Sequence, residues 1–177
     1  MFSHYIENMK SATLIIATIF VTVMFFLMRW QGQTLQTSAI TKGGILALEF
    51  AKTTTRANEC LAEWRMQDMK NNTYLDFIFI TSYTFFFVTA IRKLTYRKLI
   101  SYGLRPFMIA VAIIAGLTDF LENMQILRYV SGAATDHVIS SVYWLASFKF
   151  VLVGLTIVFL LISLLYTAVK KTGKQSE

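Results

Sequence analysis

Asp119, Glu122 and Asn123 fall within the stretch GLTDFLENMQILR, at the end of a segment that is apolar from Pro106 onward. Spaced three and four apart, they share one face of a helix. A carboxylate at membrane depth is costly unless it is paired, protonated or wetted, so each is a candidate functional residue. Two neighbouring carboxyls with offset proton affinities can do acid/base work, which makes Asp119 and Glu122 the candidate catalytic pair.

Other polar residues fall at matching depth. Counted from Pro106, Asp119 lies about 20 Å and Glu122 about 24 Å along the helix axis. Counted back from the other membrane edge at Ser141, Lys149 lies about 12 Å in, level with Asp119 and able to pair with it. Asp76 stands near the outer mouth of the preceding apolar segment, and Tyr83, on the same helical face, falls near the depth of Asp119 and Lys149. Glu49, in the outer segment between the first two apolar stretches, can cap the group from above. The predicted ligand-binding set is therefore Glu49, Asp76, Tyr83, Asp119, Glu122, Asn123 and Lys149.

The acids of this set outnumber its one lysine, leaving carboxyls that need protons, a cation, water or a ligand donor. Structural glue, a ligand or ion site, and catalysis all remain open. Interhelical polar contacts in a bilayer are each worth only about 1 kcal/mol, and packing would need one or two of them. Asp76, Asp119 and Glu122 offer three oxygen ligands for Ca²⁺ or Mg²⁺, without a ligand loop of recognisable spacing. A transition-metal site is disfavoured, because His4, His137 and Cys60 are dispersed. His137 beside Asp136 has no nucleophile elbow to serve. No cofactor motif is recognisable.

The elements that position these residues follow from composition. Of 177 residues, 55% are hydrophobic and 15% aromatic, too apolar for a soluble domain with an ordinary surface. Four stretches, about 11–29, 74–91, 106–129 and 141–169, reach the roughly 20 residues needed to cross the hydrocarbon core. The first is too long for a signal-peptide core and ends in Met28-Arg29-Trp30 rather than small residues, so it is read as a retained helix. Lys10, the loop carrying Arg92, Lys93, Arg97, Lys98 and Arg105, and the tail with Lys170, Lys171 and Lys174 belong inside by the positive-inside rule. Both termini are then cytoplasmic, and Tyr96 and Tyr102 anchor the basic loop at the inner interface. Trp30, Trp64 and Trp144 are expected at the outer interface. The net charge of +7 thus reports orientation and attraction to anionic inner-leaflet lipid, not nucleic-acid binding.

The chain reads as one all-α domain, residues 1–177, a four-helix transmembrane bundle with a long outer excursion at about 43–70. Within it Ile45, Leu46, Leu48 and Phe50, then Ala57, Cys60, Leu61 and Trp64, recur at helical spacing. Two short amphipathic helices are predicted, the second N-capped by Thr54 or Thr55. Cys60, the only cysteine, excludes an internal disulfide and is read first as a small residue on a packed face, with a reactive thiol or intermolecular bridge as the alternative.

The ordered motifs LALEFAKTTTRANECLAEW, LDFIFITSY, DFLEN and SFKFVL, covering the outer helices to the fourth span, resemble those of a family of uncharacterised small four-helix bacterial membrane proteins. Its signature residues fall on Glu49, Trp64, Asp76, Tyr83, Asp119, Glu122, Asn123 and Lys149; Phe50 stands where leucine is expected. The resemblance implies a bacterial inner-membrane location and supplies no reaction. The combined expectation is an outward-facing polar pocket that binds a small cationic or amphiphilic ligand, or protons, in contact with membrane lipid. The rivals are an intramembrane enzyme acting on an outer-leaflet lipid, which needs a side opening at the depth of Asp119, and a structural or channel-forming subunit of an oligomer, homo-oligomer included. The inner halves of the spans are apolar apart from Thr156 and Ser163, which argues against a pore within one chain.

Overall fold

The computed structural model describes residues 2–96 and 103–172, with side chains over 11–94 and 103–166. Several side chains behind the orientation argument, at Lys10, Arg97, Lys98, Lys170, Lys171 and Lys174, lie outside those ranges, as do His4, Tyr96 and Tyr102.

The described chain is all helical. The order is α1 (Phe2–Gly32), a 3-10 turn (Gln33–Leu35), α2 (Leu46–Glu49), α3 (Thr54–Ala62), α4 (Met66–Tyr96), α5 (Leu104–Val130) and α6 (Asp136–Thr172). Four of these, α1, α4, α5 and α6, are long and apolar enough to cross a membrane. The large apolar side chains they leave exposed, such as Ile16, Phe26, Leu121 and Leu161, face lipid in a chain of this kind. α4 starts eight residues before the expected edge at Tyr74. Hydropathy locates hydrocarbon, whereas this helix continues into a polar first turn. There Asp68 sits at the positive end of the helix dipole and pairs with Arg65 at 2.7 Å.

The four long helices form an open row. α1 packs on α4, α4 on α5 and α5 on α6, while α1 and α6 do not pack extensively on each other. α1 is the peripheral member: only 11% of its apolar window is buried, against 39% for α5. Within the row, α4 and α5 approach closely where Gly116 faces Thr84, since a Cβ at position 116 would collide with Thr84 Oγ1. Thr156 and Ser163 donate to the carbonyls of Leu152 and Phe159 in their own helix, satisfying their hydroxyls locally.

The excursion between α1 and α4 forms a cap over one end of the row. α2 is a single turn and α3 two and a half. Thr53, not Thr54 or Thr55, is the N-cap of α3, its hydroxyl accepting from Arg56 N at 3.4 Å. The Thr54 amide instead donates to Asp136 Oδ1 at 2.7 Å, so the triple threonine both caps α3 and ties it to the start of α6. Tyr129 at the end of α5 donates to Asn58 Oδ1 at 3.0 Å. Beneath the cap Leu35, Leu48, Cys60, Trp64 and Met69 pack with Ile126, Tyr129 and Ile139 from the ends of α5 and α6.

One further detail differs from the sequence-based expectation, while Cys60 agrees with its first reading. Trp30 and Trp144 are largely exposed, as interfacial residues should be, but Trp64 is buried and its indole donates to the Leu35 carbonyl at 2.7 Å. Its ring is used for packing, and its N–H satisfies a backbone acceptor at the end of the 3-10 turn. Cys60 is buried in the same cluster, and loss of solvation raises its thiol above its ordinary proton affinity, the condition of an inert packing cysteine.

Candidate functional site

The polar residues of α2, α4, α5 and α6 meet just below the cap. Lys149 is the centre. Its Nζ stands 2.8 Å from Asp119 Oδ1, 2.8 Å from Glu122 Oε2 and 3.4 Å from Glu49 Oε2. All four side chains are buried. Tyr83 donates its hydroxyl to Asp119 Oδ2 at 2.9 Å, so both oxygens of Asp119 are engaged. Asn123 donates to Asp76 Oδ2 at 2.7 Å. Four elements distant in sequence therefore bring the whole predicted set into one neighbourhood.

The depth matching of Asp119 with Lys149 corresponds to a direct contact. Glu122 and Asn123, on the same face of α5, have different partners: the first turns to Lys149, the second to Asp76. Glu49 comes down from the cap, held by α2, whose Leu48 is packed in the core beside it. On α6, the neighbouring Phe150 ring lies 5.1 Å from the ammonium and stacks on Phe50 of the cap at 5.9 Å between centroids.

Charge is unbalanced. Glu49, Asp119 and Glu122 surround one ammonium, and Asp76 lies beside them with no lysine or arginine nitrogen within ion-pair distance among the described residues. Glu49 Oε2 and both oxygens of Glu122 accept no hydrogen bond of proper geometry, the 2.8 Å ammonium contact included. Burial pushes the Glu49 carboxyl up from its ordinary value of 4.5; the nearby Lys149 charge opposes this and Asp119 reinforces it.

This has a measurable consequence. A carboxyl with higher proton affinity in the folded than in the unfolded state makes the folded state bind more protons above pH 4.5, so stability falls as pH rises through that window. Glu49→Gln, which keeps the shape without the titration, is expected to flatten that decline. Thermal unfolding in detergent at a series of pH values above 4.5 measures it; an unchanged slope would assign the proton elsewhere.

A cavity of about 460 Å³ adjoins the cluster. Its polar lining is Glu49, Asn72, Asp76, Tyr83, Asp119, Asn123 and Lys149, and the rest is apolar: Val21 and Met28 from α1, Ile45 and Leu46 from the cap, Phe79, Phe86 and Phe87 from α4, Phe150, Val153 and Ile157 from α6. With α1 and α6 on opposite walls, the cavity occupies the unpacked side of the helix row. Glu122 is not among the lining residues, since it sits behind Lys149 with no exposed surface.

No protein family, curated protein or solved structure matches the chain. What the structure supports of the resemblance to small four-helix membrane proteins is four long apolar helices. The chain is an integral membrane protein with a buried charged network.

Among the described residues no three His, Cys, Asp or Glu side chains are placed to share a metal ion. The Lys149 ammonium takes the central position between Asp119 and Glu122, and Asp76 is turned to Asn123. Sequence reasoning missed α1 as a wall of the cavity, because Val21 and Met28 carry no signal beyond lipid solubility. Asn72 was legible in principle. It lies one helical turn before Asp76 on the same face, and its amide donates to Gln31 at the end of α1, tying the two helices together above the cleft.

Proposed function

We propose that the protein binds a cationic group at the acid-lined end of the cleft between α1 and α6, admitting its ligand sideways from the lipid phase. The observation that carries this reading is Asp76: a carboxylate lining an otherwise apolar cavity, held in place by Asn123 and without a cationic partner among the described residues. A carboxylate in that position stabilises a cation that arrives with its own apolar body, because binding then neutralises charge while apolar walls cover the rest. On this reading the capped end faces outward from a bacterial cytoplasmic membrane with both termini inside, an orientation that the distribution of lysines and arginines supports.

The same side opening serves the enzymatic alternative, in which the protein acts on an outer-leaflet lipid. Asp76 and Asp119 are then the acids that face the substrate, since Glu122 is shielded by Lys149.

The test is thermal unfolding in a neutral detergent with added dodecyltrimethylammonium, compared with a neutral surfactant of equal chain length. At roughly a hundred times its dissociation constant a ligand adds about 2.7 kcal/mol, which for a protein of this size is about 5 to 10 °C. Wild type is expected to show a shift of that order with the cation alone. Asp76→Asn, which keeps a hydrogen-bonding side chain beside Asn123, should unfold at nearly the wild-type temperature without ligand and lose the shift. An equal response to the neutral surfactant, or a shift that survives in Asp76→Asn, would overturn the reading.

A further inference from the structure

The acid-lined cavity has a neighbour. A second cavity of about 390 Å³ lies further along the same cleft, between Leu14 and Thr18 of α1 and Leu160, Leu161 and Leu164 of α6, and is floored by Ala90 and Leu94 of α4. The two share Phe86, Phe87 and Ile157 as walls. Thr18, one of the few polar side chains on the lower wall, donates to the Leu14 carbonyl of its own helix at 2.8 Å, so it presents mostly its methyl group. On α4 the two cavities extend from Asn72 and Asp76 to Leu94, about 27 Å between Asp76 and Leu94 at the helical rise. That exceeds the roughly 15 Å depth of one leaflet's hydrocarbon.

We infer that the cleft is a slot for a single long-chain alkyl cation, its head against Asp76 and its one chain extended past Phe86 and Phe87 into the second cavity, beyond the bilayer midplane. This rests on the cation reading above and adds to it the length and number of chains. Charge decides the direction of the ligand. The end beneath the cap holds four carboxyls against one lysine, whereas among the described residues the only charged side chain lining the far end is Lys93, which already donates to Ser11 of α1. The lining decides the number of chains: past the acid-lined end, where α5 also contributes Asp119 and Asn123, the second cavity is a single gap lined by α1, α4 and α6 alone, which takes one extended chain. Transfer of a chain from bilayer to slot gains little hydrophobic free energy, since both surroundings are apolar; chain selectivity must come from the fit of the chain to the walls.

The experiment compares octyl- and hexadecyltrimethylammonium at equal mole fraction in neutral detergent micelles, reading the shift in unfolding temperature. Wild type should be stabilised by both, and more by the hexadecyl compound. Two variants that plug the second cavity, Ala90→Phe on its floor and Leu161→Trp on its rim, should keep the octyl shift and reduce the hexadecyl shift to the same size. Leu161 is 54% exposed, so its replacement remains interpretable if the buried Ala90→Phe fails to fold. Equal shifts for the two chain lengths in wild type, or a hexadecyl preference that survives in Leu161→Trp, would overturn the long-chain slot while leaving the cation site standing. Stabilisation by hexadecanoate equal to that by the cation would reverse the ligand, with its head at Lys93, and overturn it too. No shift with either cation would remove both this inference and the reading on which it rests.

Discussion

Lys149→Met is expected to destabilise the folded protein by about 3–5 kcal/mol near neutral pH, the usual penalty for removing one partner from a buried charge cluster. The substitution preserves most of the side-chain volume, so packing changes little and the effect isolates the charge. Three carboxyls within 3.4 Å of the ammonium would be left facing one another without their cation. Taking up protons relieves their repulsion, so the loss should shrink as pH is lowered. It should also shrink when the acids are neutralised beforehand: Lys149→Met combined with Asp119→Asn and Glu122→Gln is expected to recover much of the lost stability, a strong non-additivity that independent sites would not show. Reversible thermal unfolding in detergent for the single, double and triple variants measures both effects. A single variant as stable as wild type at neutral pH would mean that the acids are already protonated in the native protein and that the cluster is not ionic.

The distinction between Lys149 and Asp76 carries the functional argument. Asp119, Glu122 and Glu49 are occupied with the ammonium, and Tyr83 takes the remaining oxygen of Asp119. Such a network stiffens the meeting point of α2, α4, α5 and α6, and its members would fail together. Asp76 lines the same cavity as Glu49, Asp119 and Lys149 but differs because its neighbour is an amide rather than a cation. A cluster that served only to join helices would have no use for a fourth acid without a cation beside it. The charge excess at Asp76 is what the proposed ligand would neutralise, on a base made rigid by the rest.

The parts legible in the sequence were those governed by one dominant force. Exclusion of water from hydrocarbon writes a run of roughly 20 apolar residues for each span, and the high cost of a stray charge in that run made Asp119, Glu122 and Lys149 conspicuous before any contact was known. Helical rise then aligned Asp119 with Lys149. The partition within the set was not legible. Glu122 and Asn123 are neighbours in sequence, yet a single helical step of about 100° sends one to Lys149 and the other to Asp76, and only the rotation of α5 about its axis decides which. The position of Glu49 depends on how a one-turn helix settles on α6. Nor could the cleft be read, because it arises where α1 and α6 do not pack extensively on each other, and lipid-facing and cleft-facing residues on α1 are equally apolar. Trp64 shows the limit of composition rules: an indole near a membrane edge is usually interfacial, but here a carbonyl left unpaired at Leu35 draws it inward.

That inward turn makes Trp64→Ala the second large effect, a loss of about 3–5 kcal/mol confined mainly to the cap. The truncation empties the centre of the cluster beneath α2 and α3 and leaves the buried Leu35 carbonyl without its donor. Trp64→Phe, which fills most of the space but cannot donate, should lose only the hydrogen-bond share, about 1–3 kcal/mol. Hydrogen exchange separates the two regions. Amides of 46–62 should lose protection in Trp64→Ala while those in the middle of α4, α5 and α6 keep theirs, because the long helices hold one another through contacts that do not involve the cap. The consequence reaches the site through Glu49. When α2 is no longer held, Glu49 leaves Lys149, Phe50 leaves Phe150 and Tyr143, and the upper rim of the cleft is lost. Stabilisation by an alkyl cation should therefore fall in Trp64→Ala even though Asp76 is intact and its helix still folded. Exchange protection of the cap unchanged from wild type would show that α2 and α3 are held by Thr54 to Asp136 and Tyr129 to Asn58 rather than by the indole, and ligand stabilisation should then be unchanged as well.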